Sequence, residues 1–327
     1  SGPRVKGLHA LLAAMGWPST AGASFGKETL ASIKAVQATA GRNASGVVDA
    51  NTWALLFMTP DQAPAPAVSG TAKVSQMLTA TVGKWGPGTF DLGFQWYRGG
   101  SPIAGATASS YTLQPADAGA VLSAAVTGTR RGYTTVTRIS APTSQVAKAQ
   151  LTATPTPTIT GKAIVGEPLT AAAGAWSPGP VTVSYQWYRG STAVAGATAA
   201  SYSPQAADIA GKLRVVVTGS RPGFESVAKS SVWTDAVAAG TLAAKQPTIV
   251  GTPKVGKTLT AVPGTWSRPG VRFSYRWYRG SAEIAGATKA TYKLVRADKG
   301  KKISVRVRGS LDGYASLEKA SRQARIS

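Results

Sequence analysis

The sequence predicts a mainly β protein, with three tandem β-sandwich domains preceded by a small three-helix bundle. The first observation behind this prediction is an internal repeat in three copies, offset from one another by 91 and 90 residues, which indicates tandem domains of one fold. The second is a two-residue alternation of apolar and polar side chains within each copy, which is typical of strands. The third is a helical spacing of apolar residues that is confined to the first sixty residues.

The amino-terminal segment predicts three short helices joined by glycine-rich loops. The first helix is expected to end at Gly16 and the second at Gly41, because glycine commonly follows the last turn of a helix. The third, shorter helix spans 49–57, with Asp49 or Asn51 as its amino-terminal cap. The positions at helical spacing in the first two helices are Val5, Leu8, Leu11 and Leu12, then Leu30, Ile33, Val36 and Gln37.

Two motifs in this segment resemble the loop-to-helix signatures of the bacterial peptidoglycan-binding domain, a three-helix module. They are SFGKET (24–29) and SGVVDANTWALL (45–56). The resemblance implies a ligand groove between the second and third helices. His9 stands where the family usually has glutamine, and it is expected at the surface or in the groove without a catalytic role. The residues that the resemblance places at or under the groove are Phe25, Gly26, Thr29, Gln37 and Trp53.

A Pro/Ala-rich stretch, DQAPAPAVSG (61–70), predicts a semi-extended linker that separates the bundle from the first sandwich. Polar joints divide the three copies from one another. The expected arrangement is therefore beads on a rod with limited flexing. The predicted segments are the bundle at 1–60, the linker at 61–69, and the repeats at 70–150, 151–241 and 242–327.

Each repeat contains short strands separated by turns rich in glycine and proline. In VRFSYRWYRG (271–280), Phe273, Tyr275 and Trp277 lie on one face of the strand. The residues between them lie on the other face, because side chains alternate along a strand. Several such strands in succession predict an antiparallel β-sandwich.

The order of motifs in each copy, LTA…W…QWYR…GAT…Y…AD.G…V.VTG, resembles the immunoglobulin-like repeats of secreted actinobacterial surface proteins and cell-wall hydrolases. The resemblance covers about 70–327. It implies a tryptophan on the third strand that packs in the core and an aspartate at the corner before the sixth strand. These residues are Trp96, Trp187 and Trp277, and Asp117, Asp208 and Asp298. Because the chain has no cysteine, packing must replace the inter-sheet disulfide.

A second tryptophan recurs in each repeat, in the motifs GKWGPG, GAWSPG and GTWSRPG. These residues, Trp85, Trp176 and Trp266, have two interpretations. An exposed indole would stack on sugar rings, whereas a packed indole would close the edge of the sandwich. Recurrence at one position of the repeat favours packing.

The net charge of +23 is concentrated at the carboxyl-terminal end, where 241–327 contains 18 basic and 4 acidic residues, a net charge of +14. In an immunoglobulin topology the third and sixth strands are neighbours, so their outward residues form one basic face. An anionic wall polymer such as teichoic acid is the expected partner, and a merely solubilising surface is the alternative. No motif for reading nucleic acid is present. The predicted face contains Arg272, Arg276, Lys302, Arg306 and Arg308, extended by Lys299, Lys301, Arg322 and Arg325.

The sequence contains no recognisable catalytic or metal-binding constellation, so we expect neither enzymatic activity nor a cofactor. The chain has a single histidine and no cysteine, which excludes thiolate zinc sites and cysteine nucleophiles. It has no apolar run long enough to cross a membrane. It opens with SGPR, without a visible leader, so we expect any export signal to have been removed.

The expected function is that of a non-catalytic, secreted, carbohydrate-binding protein of the cell wall, from an actinobacterium or its phage. The bundle would recognise peptidoglycan, and the sandwiches would serve as a stalk for spacing and for contacts with other proteins. One alternative is the targeting region of a larger peptidoglycan hydrolase. Another is a structural or adhesive subunit of a phage tail or surface fibre.

Overall fold

The computed structural model describes residues 2–19, 22, 24–56 and 58–327. The chain divides into two compact units. The first comprises 1–151 together with 221–225, and it contains the helical bundle and the first sandwich. The second comprises 152–220 and 226–327, and it contains the strands of the second and third sandwiches.

The bundle consists of three helices, α1 (Pro3–Ala14), α2 (Lys27–Thr39) and α3 (Ala50–Leu55). The end predicted for the third helix, Phe57, lies outside the described residues. The core of the bundle contains buried residues from α1, from α2 and from the residues that follow α1 and α3. Its buried members are Leu8, Leu12, Met15, Trp17, Ile33, Val36 and Leu56.

The glycines predicted to follow α1 and α2 end both helices in the same way. Gly16 has φ 72° and Gly41 has φ 68°, a conformation that costs glycine little because it has no Cβ. The next residue then turns back to the last turn of the helix, so Trp17 N–H donates to the Leu12 carbonyl at 2.8 Å. This bond satisfies a carbonyl that the helix itself leaves unpaired.

Each repeat folds into two antiparallel sheets, as the alternation predicted. The first repeat contains β1 (Ala67–Gly70), β2 (Met77–Thr81), β3 (Asp91–Arg98), β4 (Ser101–Pro102), β5 (Ser110–Thr112), β6 (Leu122–Thr129) and β7 (Val136–Ile139). The smaller sheet has the order β1-β2-β5, and the larger has the order β4-β3-β6-β7. This is the strand arrangement of an immunoglobulin-like sandwich.

The second and third repeats have the same arrangement. The second contains β8 (Thr158–Thr160), β9 (Leu169–Ala172), β10 (Thr182–Arg189), β11 (Thr192–Ala193), β12 (Ser201–Tyr202), β13 (Leu213–Ser220) and β14 (Val227–Ser230). The third contains β15 (Thr248–Val250), β16 (Thr258–Val262), β17 (Arg272–Arg279), β18 (Ala282–Glu283), β19 (Thr291–Lys293), β20 (Lys302–Ser310), β21 (Leu317–Ala320) and β22 (Ala324–Arg325). Strand β22 adds to the larger sheet of the third repeat by pairing with β20.

The predicted linker is held against the first sandwich and does not separate it freely from the bundle. Strand β1 begins at Ala67, Gln62 pairs with Gly86, and Arg138 Nε donates to the Ala63 carbonyl at 3.0 Å. The bundle also contacts this sandwich, because Thr134 N–H donates to the Met58 carbonyl at 2.9 Å. The stretch predicted as a semi-extended linker therefore has backbone partners in the first sandwich at Gln62 and Ala63 and becomes its first strand from Ala67.

The tryptophan of the third strand is the centre of each core, as the sequence predicted. Trp96, Trp187 and Trp277 are each 0% exposed. Each indole N–H donates to a backbone carbonyl at 2.9–3.0 Å, so burial leaves no unsatisfied polar atom. Burying an indole of this size supplies a large part of the apolar area that holds the two sheets together.

The repeated aspartate closes the corner before the sixth strand in every copy. In the third repeat, Asp298 accepts hydrogen bonds from Arg279 Nε at 2.7 Å, from the Tyr292 hydroxyl at 3.0 Å and from Val295 N–H at 2.8 Å. Burial, together with the neighbouring carboxylate, raises the pKa of the Tyr292 hydroxyl, so it remains a donor. The bond to Asp298 raises the pKa of the Arg279 guanidinium.

The second tryptophan of each repeat packs against the sheet. Trp85 is 5% exposed, and Trp176 and Trp266 are half-buried. A Cβ on Gly219 would overlap the Trp176 ring, and the same relation holds for Gly128 with Trp85 and Gly309 with Trp266. The glycine at the end of the sixth strand therefore leaves room for the indole, which occupies the place that a Cβ would fill.

We expect Asp298→Ala to destabilise the third sandwich alone. Its loss would leave a guanidinium, a hydroxyl and a backbone N–H without their acceptor, at a cost of about 2–4 kcal/mol. Amide hydrogen exchange of β20 measures this cost, and the equivalent strands β6 and β13 in the same molecule provide the control. Unchanged protection of β20, or equal loss in all three strands, would contradict this role.

Candidate functional site

The loop between α1 and α2 is anchored by the one histidine of the chain. His9 is 5% exposed, so the surface or groove position expected for it was wrong. Its Nδ1 lies 3.1 Å from the Gly22 carbonyl, and its Nε2 lies 2.9 Å from Thr29 Oγ1. Because a carbonyl oxygen only accepts, Nδ1 donates to Gly22, while Nε2 and the Thr29 hydroxyl form the second hydrogen bond. A buried polar side chain thus joins the loop to both helices.

The loop between α2 and α3 is anchored by Gln37, which is 3% exposed. Its Oε1 accepts from Gly46 N–H at 2.7 Å. Its Nε2 lies 2.9 Å from the Val47 carbonyl and 3.0 Å from Thr52 Oγ1. Each of these bonds has its partner in the loop or at the start of α3, so this one amide holds the loop in a single conformation.

The amino terminus of α3 is capped by Asp49, one of the two residues that the sequence offered for this role. Its Oδ1 accepts from both the backbone N–H and the hydroxyl of Thr52, each at 2.7 Å. These hydrogen bonds, the side-chain bond first, lower the pKa of the Asp49 carboxyl below its ordinary value of 3.8. The carboxylate therefore remains charged and acts as the cap.

Three apolar side chains lie exposed next to these two anchored loops. Phe25 is 40% exposed, Leu30 is 37% exposed and Val47 is 61% exposed. Phe25 and Leu30 occupy the positions just before and one turn inside the start of α2, which commonly pack together. A Cβ on Gly46 would overlap the Leu30 side chain, so Leu30 lies directly against the loop that carries Val47. We call Phe25, Leu30 and Val47 the apolar loop surface.

The structure separates the five residues predicted for the groove into two groups. Phe25 is exposed, whereas Gly26 and Trp53 are half-buried at the start of α2 and against the bundle core. Thr29 and Gln37 are buried, at 0% and 3% exposed, and their polar atoms are used within the bundle. These two residues therefore position the loops and are not themselves presented to a ligand.

Two members of the apolar loop surface were not predicted as site residues. Leu30 shares the helical spacing of the core residues of α2, so the sequence pattern assigned it to the interior. Val47 lies in a loop, and an apolar side chain between a glycine and a cap residue was the signal that could have identified it. Exposure at both positions depends on how α3 packs against α2.

A second candidate site is the outward face of the larger sheet in the third repeat. Strands β17 and β20 pair along their whole length, so residues directly opposite one another lie on the same face. Arg276 is opposite Arg306, and Lys302 is opposite Arg325 of β22. The cations of this face, which we call the basic sheet face, are Arg272, Arg276, Lys302, Arg306, Arg308 and Arg325.

Three of these cations have carboxylate partners within the same repeat. Arg272 pairs with Asp312 at 2.5 Å. Arg276 pairs with Glu283 at 3.7 Å, and Arg306 pairs with Glu318 at 3.2 Å. All of the paired side chains are substantially exposed, and exposed ion pairs contribute only about 0–1 kcal/mol each.

The described residues contain no group of three or more histidines or acidic residues placed to hold a metal ion. Nor does any helix in the described part of the chain combine the length and the apolar character needed to cross a membrane. The described residues present two surfaces suited to a ligand, the apolar loop surface and the basic sheet face.

We expect Gln37→Ala to release the loop between α2 and α3. The Gly46 N–H and the Val47 carbonyl would lose their buried partner, which costs about 1–3 kcal/mol. The amides of Gly46 and Thr52 should then exchange faster, as measured by amide hydrogen exchange. The matched variant Gln95→Ala, in the first sandwich, should leave these two amides unchanged. Unchanged exchange in Gln37→Ala would contradict the anchoring role.

The cap on α3 should also depend on pH. Because the pKa of Asp49 is lowered in the folded state, its stabilising effect is present above the ordinary value of 3.8 and is lost as the pH falls through the lower folded value. The chemical shift of the Thr52 amide, followed by NMR on acidification, reports this loss. Asp49→Asn keeps a capping oxygen and should remove the transition. Its persistence in this variant would assign the titration to another group.

Comparison with known proteins gives different matches for the helical bundle and for the sandwiches. Residues 1–56 match the family model described as "Putative peptidoglycan binding domain", and no curated protein sequence matches the chain. Similar solved structures include the three N-terminal domains of the highly immunogenic outer capsid protein (Hoc) of bacteriophage RB49, with 16% identity, a TM-score of 0.25, and coverage of 80% of this chain and 98% of that one. They also include the D1–D4 ectodomain fragment of ICAM-5, with 17% identity, a TM-score of 0.32, and coverage of 83% and 77%.

The immunoglobulin-like assignment of the sandwiches depends on their strand order. The tandem immunoglobulin repeats of Dlar are similar at 14% identity with a TM-score of 0.18, over 53% of this chain and 94% of that one. In each repeat the direct observation is a three-stranded sheet packed with a larger sheet, of four strands in the first two repeats and five in the third, around a buried tryptophan. The chain thus joins an amino-terminal bundle that matches the peptidoglycan-binding-domain model over residues 1–56 to three immunoglobulin-like repeats.

Proposed function

We propose that this is a non-catalytic, secreted protein of the bacterial cell wall, in which the bundle binds peptidoglycan and the sandwiches form a stalk for spacing and interaction. The observation that carries the proposal is the apolar loop surface, displayed on two anchored loops of the segment that matches the peptidoglycan-binding family. The stalk and the secreted location follow from this assignment and from the tandem sandwiches.

The apolar loop surface suits a ligand with both sugar rings and short peptides. Small soluble domains rarely leave neighbouring large apolar side chains exposed unless they contact a partner. The C–H faces of sugars pack on an aromatic ring such as Phe25, and the methyl groups of alanine-rich stem peptides pack on Leu30 and Val47. Because His9 holds Gly22 and Gln37 holds Gly46 and Val47 in the free protein, binding needs little further ordering of the backbone at these positions.

The stalk is supported by the junction between the second and third repeats, inside the second unit. Gly240 N–H donates to the Gly313 carbonyl at 2.9 Å, and Ala315 N–H donates back to the Gly240 carbonyl at 2.8 Å. A Cβ on Gly240 would overlap the Tyr314 ring. Paired backbone hydrogen bonds and a packed aromatic ring limit flexing at this joint, as a spacer requires.

The double variant Phe25→Ala, Val47→Ser should weaken binding of the full chain to peptidoglycan. Removing two central apolar contacts should lower the affinity about tenfold or more, since such contacts often contribute over about 1 kcal/mol each. The measurement is co-sedimentation with purified sacculi from which teichoic acid has been stripped, so that the basic sheet face does not contribute.

Met77→Ala, Val232→Ser is the matched control, because these side chains are also exposed, at 58% and 75%, but lie in the sandwiches. This control should retain full binding. Equal binding by the two double variants, with the bundle still folded by hydrogen exchange, would refute the assignment of the peptidoglycan site.

A further inference from the structure

The basic sheet face contains charge arrangements that the fold itself does not need. Arg276 lies directly opposite Arg306, and like charges directly opposite one another destabilise a sheet. The same positions in the second sandwich hold Gln186 and Val216, which pair in the same register without charge. Since the second sandwich folds with these neutral residues, the arginines of the third are explained by something outside the fold.

The glutamine that Arg276 replaces has a structural use in the other repeats. Gln186 Nε2 lies 2.9 Å from the Trp187 carbonyl and 2.8 Å from the Val194 carbonyl, and Gln95 makes the equivalent contacts. In the third repeat these glutamine contacts are replaced, and Arg276 instead forms an ion pair with Glu283 at 3.7 Å. The exchange replaces a local stabilising contact with an exposed positive charge.

Internal carboxylates neutralise only part of the face. Its six cations have three carboxylate partners within the described residues, namely Asp312, Glu283 and Glu318. No ion pair within the described residues involves Lys302, Arg308 or Arg325. The three existing ion pairs are exposed and therefore weak. An external anion can displace their carboxylates from the guanidinium groups at little cost in free energy. Arginine donates two parallel hydrogen bonds to a phosphate.

The spacing of the cations suits an extended chain of single phosphates. Outward side chains two residues apart on a strand, such as Arg306 and Arg308, are separated by ~7 Å. Neighbouring strands lie ~5 Å apart, so the charges form a flat grid. A flexible polymer with one phosphate for each short polyol unit can lie along such a grid. Each successive phosphate of the polymer can then contact a cation of the face.

Nucleic acid fits this face less well. Proteins that bind single strands present open aromatic rings on which bases stack, but the Arg306 guanidinium covers the Tyr278 ring, 4.6 Å from its centroid. The outward positions of β17 and β20 contain only arginine, lysine, serine and tyrosine, so the amide side chains that read adenine are absent from both strands.

We propose that the basic sheet face of the third repeat binds a polyol phosphate polymer of the cell wall, of the teichoic acid type. Phosphates along the polymer displace the internal carboxylates from Arg272, Arg276 and Arg306, and also contact Arg308, Lys302 and Arg325. This interaction is independent of the peptidoglycan site on the bundle, and its binding free energy adds to that of the bundle when both ligands share one wall.

The test replaces the face with the residues of the second sandwich, in the variant Arg272→Thr, Arg276→Gln, Arg306→Val, Arg308→Thr. The probe is immobilised poly(glycerol phosphate) without peptidoglycan, and the ligand is the full chain. We expect the affinity of this variant at low salt to be about tenfold lower than that of the parent protein, or lower still. Raising the salt from roughly 50 to 200 mM should weaken binding of the variant less than binding of the parent, because the variant releases fewer counterions when it binds.

The matched control removes the same charge from the other side of the third repeat, through Lys254→Gln, Lys257→Gln, Lys289→Gln, Lys293→Gln. These lysines are exposed and lie on or beside β16 and β19. The control should lose less than about threefold, since screening at moderate salt limits distant charges. Equal loss in both variants would show that only net charge acts, and would overturn the proposal.

Two further measurements complete the test. Amide exchange in β17 and β20 reports whether the sheet is intact, and the smaller variant Arg276→Gln, Arg308→Thr should show an intermediate loss if the larger one unfolds. Duplex DNA at equal phosphate concentration serves as the competitor. Competition as strong as that of free poly(glycerol phosphate) would assign the face to nucleic acid and overturn the proposal. Unchanged binding to stripped sacculi in all these variants would show that the peptidoglycan site is unaffected.

Discussion

Each sandwich depends on a tryptophan that is completely buried although no disulfide crosses the core. Trp96, Trp187 and Trp277 occupy the same place in the three repeats, and each indole N–H is satisfied by a carbonyl of the segment between the fourth and fifth strands. The apolar ring joins the two sheets, and the hydrogen bond fixes its orientation. A covalent cross-link of the kind found in many immunoglobulin domains is thereby replaced by packing together with one satisfied polar atom.

Because the interior is the same in all three copies, the outer faces are free to differ. The aspartate corner and the glycine beneath the second tryptophan recur without change. The residue before the buried tryptophan does not: it is Gln95, Gln186 and then Arg276. Differences between repeats are therefore more informative about function than the repeated motif, which reports the fold.

The bundle also depends on buried polar groups, which lie beside its apolar core. His9 and Gln37 are inaccessible, yet each determines the conformation of a loop that presents exposed apolar side chains. A family signature therefore contains residues of two kinds. Some of them hold the loops, and others are presented by them, and residue type alone does not distinguish the two.

The sequence by itself determined the repeats, the two-residue alternation, the buried tryptophans and the helix-ending glycines. Each of these features depends on the spacing of residues along the chain, which the sequence gives directly. Only the tertiary structure decided that Thr29 and Gln37 are buried while Leu30 and Val47 are exposed, since this depends on how neighbouring helices pack. It also decided that the predicted linker is fastened to the first sandwich. The partial neutralisation of the basic face by Asp312, 40 residues away from Arg272 in the chain, could not be predicted. Spacing along a strand shows which side a residue faces, whereas strand order and register decide which charge it meets.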